Sequence, residues 1–337
     1  MSLVIRKCVI CNRSTNLFNY GVNSCNACKM FFRRVIFGSY PKFCRDNMKC
    51  KKKSTVTSKC RYCRFQVCVQ SGMMYTPSGT LSSNSINSID NHQSPDNVSV
   101  LINNLIYLDN QRRQKLTNFF VEGDPTMEEL AESGSIKFTV KPGNYQMNLD
   151  DWGFMAAIST IDFMKKFNFI NLMDLEDRKI FLRCTYFNFS IFSTALSALQ
   201  GKQAAMSFPD GSDVIPGDMY PISRKLENKI RCQLVGRMAD LKITNEEFLL
   251  LSVVLFCNPA LPSLSETGRA LISSCQKMYT SALLQHCLHN YQKTGPSRFT
   301  DLLSLCHVIN RTFENMTHHY ILFKFHEPKA KYRKLFG

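Results

Sequence analysis

The chain has 337 residues, with 42 Lys and Arg against 26 Asp and Glu, for a formal net charge of +16. That length allows about two domains of ordinary size. No apolar run reaches the roughly 18–20 residues that a membrane span needs; the longest, Phe248 to Cys257, is broken by Ser252 and followed by Pro259. A membrane is therefore not an expected partner, and the basic excess points towards a polyanion.

Met1 to Lys7 is too short and too charged for a secretory signal, so a disulfide scaffold is the weaker account of the cysteines that follow. Cys8/Cys11 and Cys25/Cys28 form two Cys-x-x-Cys pairs separated by thirteen residues. A loop of that length lets both pairs converge on one tetrahedral ion. Cys44 and Cys50, five residues apart, with Cys60 and Cys63 a further nine residues on, make a second set. Eight thiolates in two closed shells predict two structural zinc ions, with no coordination position left for substrate. The other seven cysteines, at 68, 184, 232, 257, 275, 287 and 306, have no paired spacing and are expected to be buried free thiols.

Residues 1–76 hold fifteen Lys and Arg against one acid, Asp46, a surplus of fourteen out of the chain's sixteen. Two zincs and eight thiolates leave it at about +10, enough to favour nucleic acid through counterion release. From Cys25 to Ile36 there is no Gly or Pro, and Phe31/Val35 and Phe32/Ile36 recur at helical spacing. The other side of this predicted helix carries Asn26, Lys29, Met30, Arg33 and Arg34. Such side chains suit the major groove, where Arg and Lys pair with guanine and Asn with adenine; the alternative is a solvated basic face. A second helix is predicted from about Cys60, with Phe65, Val67 and Cys68 packed across the first, and Cys68 in the core rather than a ninth ligand.

These residues resemble the nuclear receptor DNA-binding domain. The likeness rests on the eight cysteines, Tyr20-Gly-Val22, the Cys25-x-x-Cys-Lys-x-Phe-Phe-Arg-Arg34 helix, and Cys60-Arg-Tyr-Cys-Arg-Phe-Gln66 through Gly72-Met73. The Cys-Asn-Ala-Cys-Lys-Met form is most similar to the nematode supplementary nuclear receptors. The resemblance implies that Asn26, Lys29, Arg33 and Arg34 read bases or the adjoining backbone. It places Asn26, Ala27 and Met30 at the positions that set half-site preference. Lys51, Lys52 and Lys53 are expected on phosphate, which positions without specifying. Arg45 to Lys49 matches the family's dimerisation loop only in length and place.

Residues 5–76 are thus expected to form a small zinc-stabilised α module. Residues 77–97, dense in Ser and Asn, read as a flexible hinge. Residues 98–337 are expected to form an all-α layered helical sandwich: Leu101, Leu105 and Leu108 mark a first helix, and Ile136 to Val140 a short strand. Phe154, Ile158, Ile161 and Met164 mark a long helix, and Asp177 to Leu199 is apolar on nearly every face, as in the middle layer of a bundle. Ile161-Asp-Phe-Met-Lys-Lys166, Leu172 and Leu175 to Leu182 resemble the third to fifth helices of a nuclear receptor ligand-binding domain. Phe163 stands where Trp is frequent, and Arg178 where Gln is frequent. Glu246 to Pro259 and Arg298 to Phe325 look like the eighth and tenth helices, the latter being the family's dimer face.

The resemblance implies a cavity for a small lipophilic ligand, with Phe154, Met155, Ile158, Ile161, Phe187, Phe189, Phe192 and Leu196 as lining candidates; the same residues suit a packed core. It also places Lys165 where a cation caps the C-terminal end of a coregulator's Leu-x-x-Leu-Leu helix. The tail, Phe325 to Gly337, has Glu327 just before Pro328 and only basic and apolar residues beyond, so the usual acidic partner of that lysine is missing. Conventional coactivator binding is expected to be weak. The function implied is a nuclear, sequence-specific transcription factor that binds double-stranded DNA, meets coregulator proteins and can pair as a homo- or heterodimer. The alternatives are a zinc-based protein-interaction adaptor and a ligand-independent repressor. Closed four-cysteine shells, and the lack of a phosphate-binding Gly-rich loop or nucleophile elbow, argue against an enzyme.

Overall fold

Ser, Thr, Asn and Asp residues set where most of the long helices begin, because their side chains satisfy backbone N–H groups that the first turn leaves without partners. The computed structural model describes residues 6–20, 22–36, 60–71, 73, 95–143, 145–215, 223–327 and 332–336. The expectations for Cys44, Cys50, Lys51, Lys52 and Lys53, and for hinge residues 77–94, lie outside the described residues. The chain divides into two compact units, Met1–Tyr107 with Lys166–Asn168, and Leu108–Lys165 with Phe169–Gly337.

In the first unit, β1 (Phe18–Asn19) and β2 (Val22–Asn23) pair antiparallel, with Phe18 opposite Asn23. Helix α1 (Asn26–Ile36) follows, and then α2 (Arg61–Gln70). The two helices pack through Phe32, which stacks on Phe65 at 5.6 Å and tilts against Tyr20 at 5.0 Å. Phe31, Phe32, Val35, Phe65 and Cys68 are all buried, as expected of that crossing, while Val67 is only half-buried. Helix α3 (Pro95–Asn118) starts three residues earlier than its apolar periodicity suggests. Pro95 serves as a first helical residue because that position needs no N–H donor. Phe65 also meets Tyr107 of α3 edge-on, at 5.1 Å.

The second unit takes in α3 from Leu108 onward and then β3 (Phe119–Phe120), paired antiparallel with β4 (Thr139–Val140), the short strand expected within 136–140. Between them lies α4 (Met127–Glu132), begun by a capping box of Thr126 and Glu129. Then come α5 (Leu149–Met164), α6 (Asn168–Leu172) and α7 (Leu175–Gln200). These are followed by α8 (Arg224–Arg231), α9 (Gln233–Asp240), α10 (Asn245–Phe256), α11 (Glu266–Tyr291) and α12 (Gly295–His326). A single 3-10 turn, Lys334–Phe336, ends the described chain.

Helix α7 is the middle of the layers, touching α4, α5, α9, α10 and α12. That position explains its apolar residues on every face. Phe189 stacks on Phe163 at 5.0 Å and meets Phe256 at 6.1 Å, while Phe192 tilts against Phe248 at 4.6 Å. Each aromatic side chain buried there contributes about 1.5–3 kcal/mol relative to exposure. Polar locks fix the register between layers. The buried Asp177 carboxylate accepts from Ser265 N (2.8 Å) and Oγ (2.5 Å) at the start of α11. Gly268 leaves the room for it: a Cβ there would lie 2.1 Å from Asp177 Oδ2.

Candidate functional site

The first cysteine set is assembled by two turns and a hairpin. Cys8 N donates to Arg13 O and Asn12 N to Cys8 O, each at 2.8 Å, closing a knuckle in which Asn12 takes a positive φ of 60°. Val9 N donates to Asn23 O at 3.0 Å, tying that knuckle to β2. Cys25 precedes α1 and Cys28 sits in its first turn, where Lys29 N donates to Cys25 O at 2.9 Å. The result brings the sulfurs of Cys8, Cys11, Cys25 and Cys28 within 4.8 Å of one another, with Cys11 and Cys25 Sγ 3.5 Å apart. A tetrahedral zinc at about 2.3 Å from each sulfur needs neighbouring sulfurs about 3.8 Å apart, so the donor set fits that ion. Bound there, zinc supplies a closed structural clamp rather than a reactive centre.

Cys60 and Cys63 repeat the arrangement at α2: Arg64 N donates to Cys60 O at 3.0 Å, and Cys63 is buried in the first turn. Arg64 also joins the two halves of the module. Its guanidinium lies 4.3 Å from the Phe31 ring centroid and donates to Cys28 Sγ at 3.6 Å, a contact that favours the thiolate. Sequence alone did not single out Arg64; its place one turn after a ligand cysteine is the signal that was available. Cys68 is buried outside the sulfur cluster, and burial pushes its thiol up to about 12.

Helix α1 has two faces. Cys28, Phe31, Phe32 and Val35 are buried, while Asn26, Ala27, Met30, Arg33 and Arg34 are exposed and Lys29 is half-exposed. At 3.6 residues per turn the second set spans an arc of about 160°. An amide, a thioether and three cations therefore share one open face, and the zinc ligands hold the opposite one.

The second unit contains a cavity of about 420 Å³. Of the eight lining candidates, Phe187 lines it; Phe154, Met155, Ile158, Ile161, Phe189, Phe192 and Leu196 are buried in the layers and are not among its lining residues. The walls contributed by α5 and α7 are instead mostly small, with Gly153, Ala156, Ala157, Ser190 and Thr194. Large side chains fill the space between layers, and small ones leave it open. His319 adds a ring whose pKa burial lowers.

The tail closes one side of this cavity with Tyr332 and Phe336. Arg333 donates to Asp150 (2.7 Å) and Asp151 (2.8 Å) at the start of α5, and Tyr320 Oη donates to Phe336 O at 3.0 Å. Within the described tail, Lys334–Phe336 forms one 3-10 turn that holds no acidic residue.

Lys165 lies at the other end of α5, about 20 Å along the helix from Asp150 and Asp151. Its ammonium donates to Leu130 O, to Ser133 O (2.6 Å) and to Ser133 Oγ (3.0 Å), so it caps α4.

Residues 147–326 match the family described as the ligand-binding domain of nuclear hormone receptor, and residues 6–75 match the double treble clef zinc finger of C4 type. The chain is 39% identical to nuclear hormone receptor family member nhr-167 of Caenorhabditis elegans, over 99% of this chain and 97% of that protein. It is 37% identical to nhr-9, over 98% and 95%, and 38% identical to nhr-27, over 97% and 90%, both from the same organism. No helix among the described residues is long and apolar enough to cross a membrane.

Proposed function

The chain belongs to the nuclear hormone receptor family, and from that premise we infer that α1 reads duplex DNA in the major groove while the helical unit answers to a small lipophilic ligand. It is a transcription factor with a zinc-finger DNA-binding module, which carries two zinc ions, and a ligand-binding domain; it is not an enzyme. The observation that carries the finer proposal is the open arc of α1. Asn26, Lys29, Met30, Arg33 and Arg34 project from a helix whose other side is fixed by Cys28 and the Phe32–Phe65 stack. A helix fits the major groove, and cations with an amide on one face give donors for guanine and a bidentate pair for adenine.

In this proposal Asn26, Lys29 and Arg33 face base edges, with Ala27 and Met30 setting half-site preference and Arg34 on the backbone. Lys51, Lys52 and Lys53 add phosphate contacts that position the module. The protein acts in the nucleus, where such DNA is found. Arg33→Ala is expected to weaken binding to the preferred duplex by about 1–3 kcal/mol and to relax sequence preference at one position. Lys51→Ala is expected to weaken all duplexes alike and to lower the salt slope by about one. Fluorescence-anisotropy titrations at several salt concentrations check both; equal, salt-only losses for the two variants would mean that α1 reads no bases.

For the ligand, the support is an apolar cavity with a few polar groups, Ser190, Thr194 and His319, on its walls. We also place a coregulator groove at Lys165, between the end of α5 and α7, and a dimer face on α12. Coactivator helices bind weakly there, since the sequence beyond Pro328 holds only basic and apolar residues.

A further inference from the structure

We propose that α4 is an in-cis occupant of the Lys165 groove, a built-in helix that holds the site closed against partner helices and shows what kind of helix it accepts. The proposal rests on the reading of that groove as a coregulator site and adds what covers it and what displaces the cover.

Met127, Leu130 and Ala131 are buried, at 4%, 3% and 0% exposure. They stand at i, i+3 and i+4, the same three positions that a Leu-x-x-Leu-Leu helix uses to enter a groove. At their C-terminal end Lys165 donates to Leu130 O and Ser133 O, and Arg178 Nη1 donates to Ala131 O at 3.3 Å. Arg178 is itself held by Ile170 O and Met173 O, each at 3.2 Å. Two cations thus meet the carbonyls at the negative end of the helix, where its dipole is best opposed. Acidic residues on the outer side complete the seat: Glu128 pairs with Arg183, and Glu132 with Lys179 at 3.7 Å.

Six residues are too few to hold a helix in water, so α4 owes its form to the groove and its own capping box. Its outer ion pairs are exposed at Glu128–Arg183 and half-exposed at Glu132–Lys179, and individually weak. A segment of this kind can be displaced by a partner helix with three apolar anchors, and acidic residues flanking them would meet Arg183 and Lys179 as Glu128 and Glu132 do. The cover lowers the apparent affinity of any such partner by the fraction of molecules in which the groove is open.

The test is a titration of the full zinc-loaded chain with a fluorescein-labelled peptide carrying one Leu-x-x-Leu-Leu repeat and uncharged flanks. The double variant Met127→Ser, Leu130→Ser is expected to bind at least about tenfold more tightly than the unaltered chain, as an open fraction below about one tenth requires. Lys165→Gln added to that variant should abolish the gain. If the unaltered chain binds as tightly as the double variant, the groove is a partner site but α4 does not cover it. If neither binds while both keep the same thermal transition, the coregulator reading fails and this proposal falls with it. Should the double variant not fold, Glu128→Lys gives the same test through repulsion from Arg183: a gain of about two- to threefold, cancelled by adding Arg183→Glu. No gain, or a gain that Arg183→Glu leaves in place, overturns the proposal.

Discussion

Chelating zinc from the full chain is expected to unfold the module over residues 6–75 and abolish DNA binding, while the helical unit keeps its thermal transition. Structural zinc contributes about 10–16 kcal/mol of binding free energy in small sites of this kind. Among the described residues the module's apolar core beside the cysteine cluster is Phe31, Phe32, Val35, Phe65, Cys68 and Met73, and each ordered residue costs about 1–2 kcal/mol in backbone entropy. A core that small does not offset the ordering without metal. Cys28→Ser should act like chelation, since it removes both a ligand and the sulfur that Arg64 contacts. The single tryptophan makes the two units separable in one experiment. Trp152 lies on α5, its Nε1 donating to Asp210 at 2.7 Å, so its fluorescence should ignore the chelator while circular dichroism and DNA affinity change. DNA affinity that survives chelation would contradict the account.

Arg298→Ala is expected to cost the helical unit about 3–5 kcal/mol at neutral pH. Glu247 is fully buried at the start of α10, where it forms a capping box with Thr244. Arg298 Nε donates to Glu247 Oε1 at 2.7 Å and its Nη1 donates to Leu241 O at 2.6 Å. Burial by itself would raise the Glu247 carboxyl, but the Arg298 guanidinium and the Thr244 N–H outweigh it and hold the carboxyl below its ordinary value. A lowered folded pKa means stability that is present above about 4.5 and lost as pH falls through the folded value. In Arg298→Ala the carboxylate is left buried without its partner, so its deficit should be greatest at pH 7 and shrink towards pH 5 as the carboxyl takes up a proton. Urea melts of both proteins at the two pH values check this. A deficit that does not change with pH would assign the effect to lost packing instead.

The metal framework was legible because ligand spacing is a one-dimensional signal. Cys8, Cys11, Cys25 and Cys28 need only short turns to converge, and the knuckle at Asn12 and the β1–β2 hairpin provide them. The two faces of α1 were legible for a similar reason, since local periodicity fixes which residues lie together. The cavity was not. Apolar periodicity finds the inward face of a helix, but whether that face encloses space depends on side-chain volume opposite, and the walls turned out to carry Gly153, Ala156 and Ala157 rather than Phe154, Ile158 and Ile161. Lys165 was singled out by the resemblance alone; that its ammonium closes on Leu130 O and Ser133 O is a contact across more than thirty residues, which no local pattern encodes. The tail shows the same limit. The lack of an acid after Pro328 was plain from sequence, whereas the anchoring of Arg333 on Asp150 and Asp151 needed the fold.

Selection of bound duplexes from a random pool by the full zinc-loaded chain tests the central claim most directly. The account predicts enrichment of a short defined motif, loss of that enrichment with chelator, and an altered motif when Asn26 or Met30 is replaced. A pool that shows no enriched sequence even at low salt would contradict it and would make the four-cysteine module a protein-interaction adaptor.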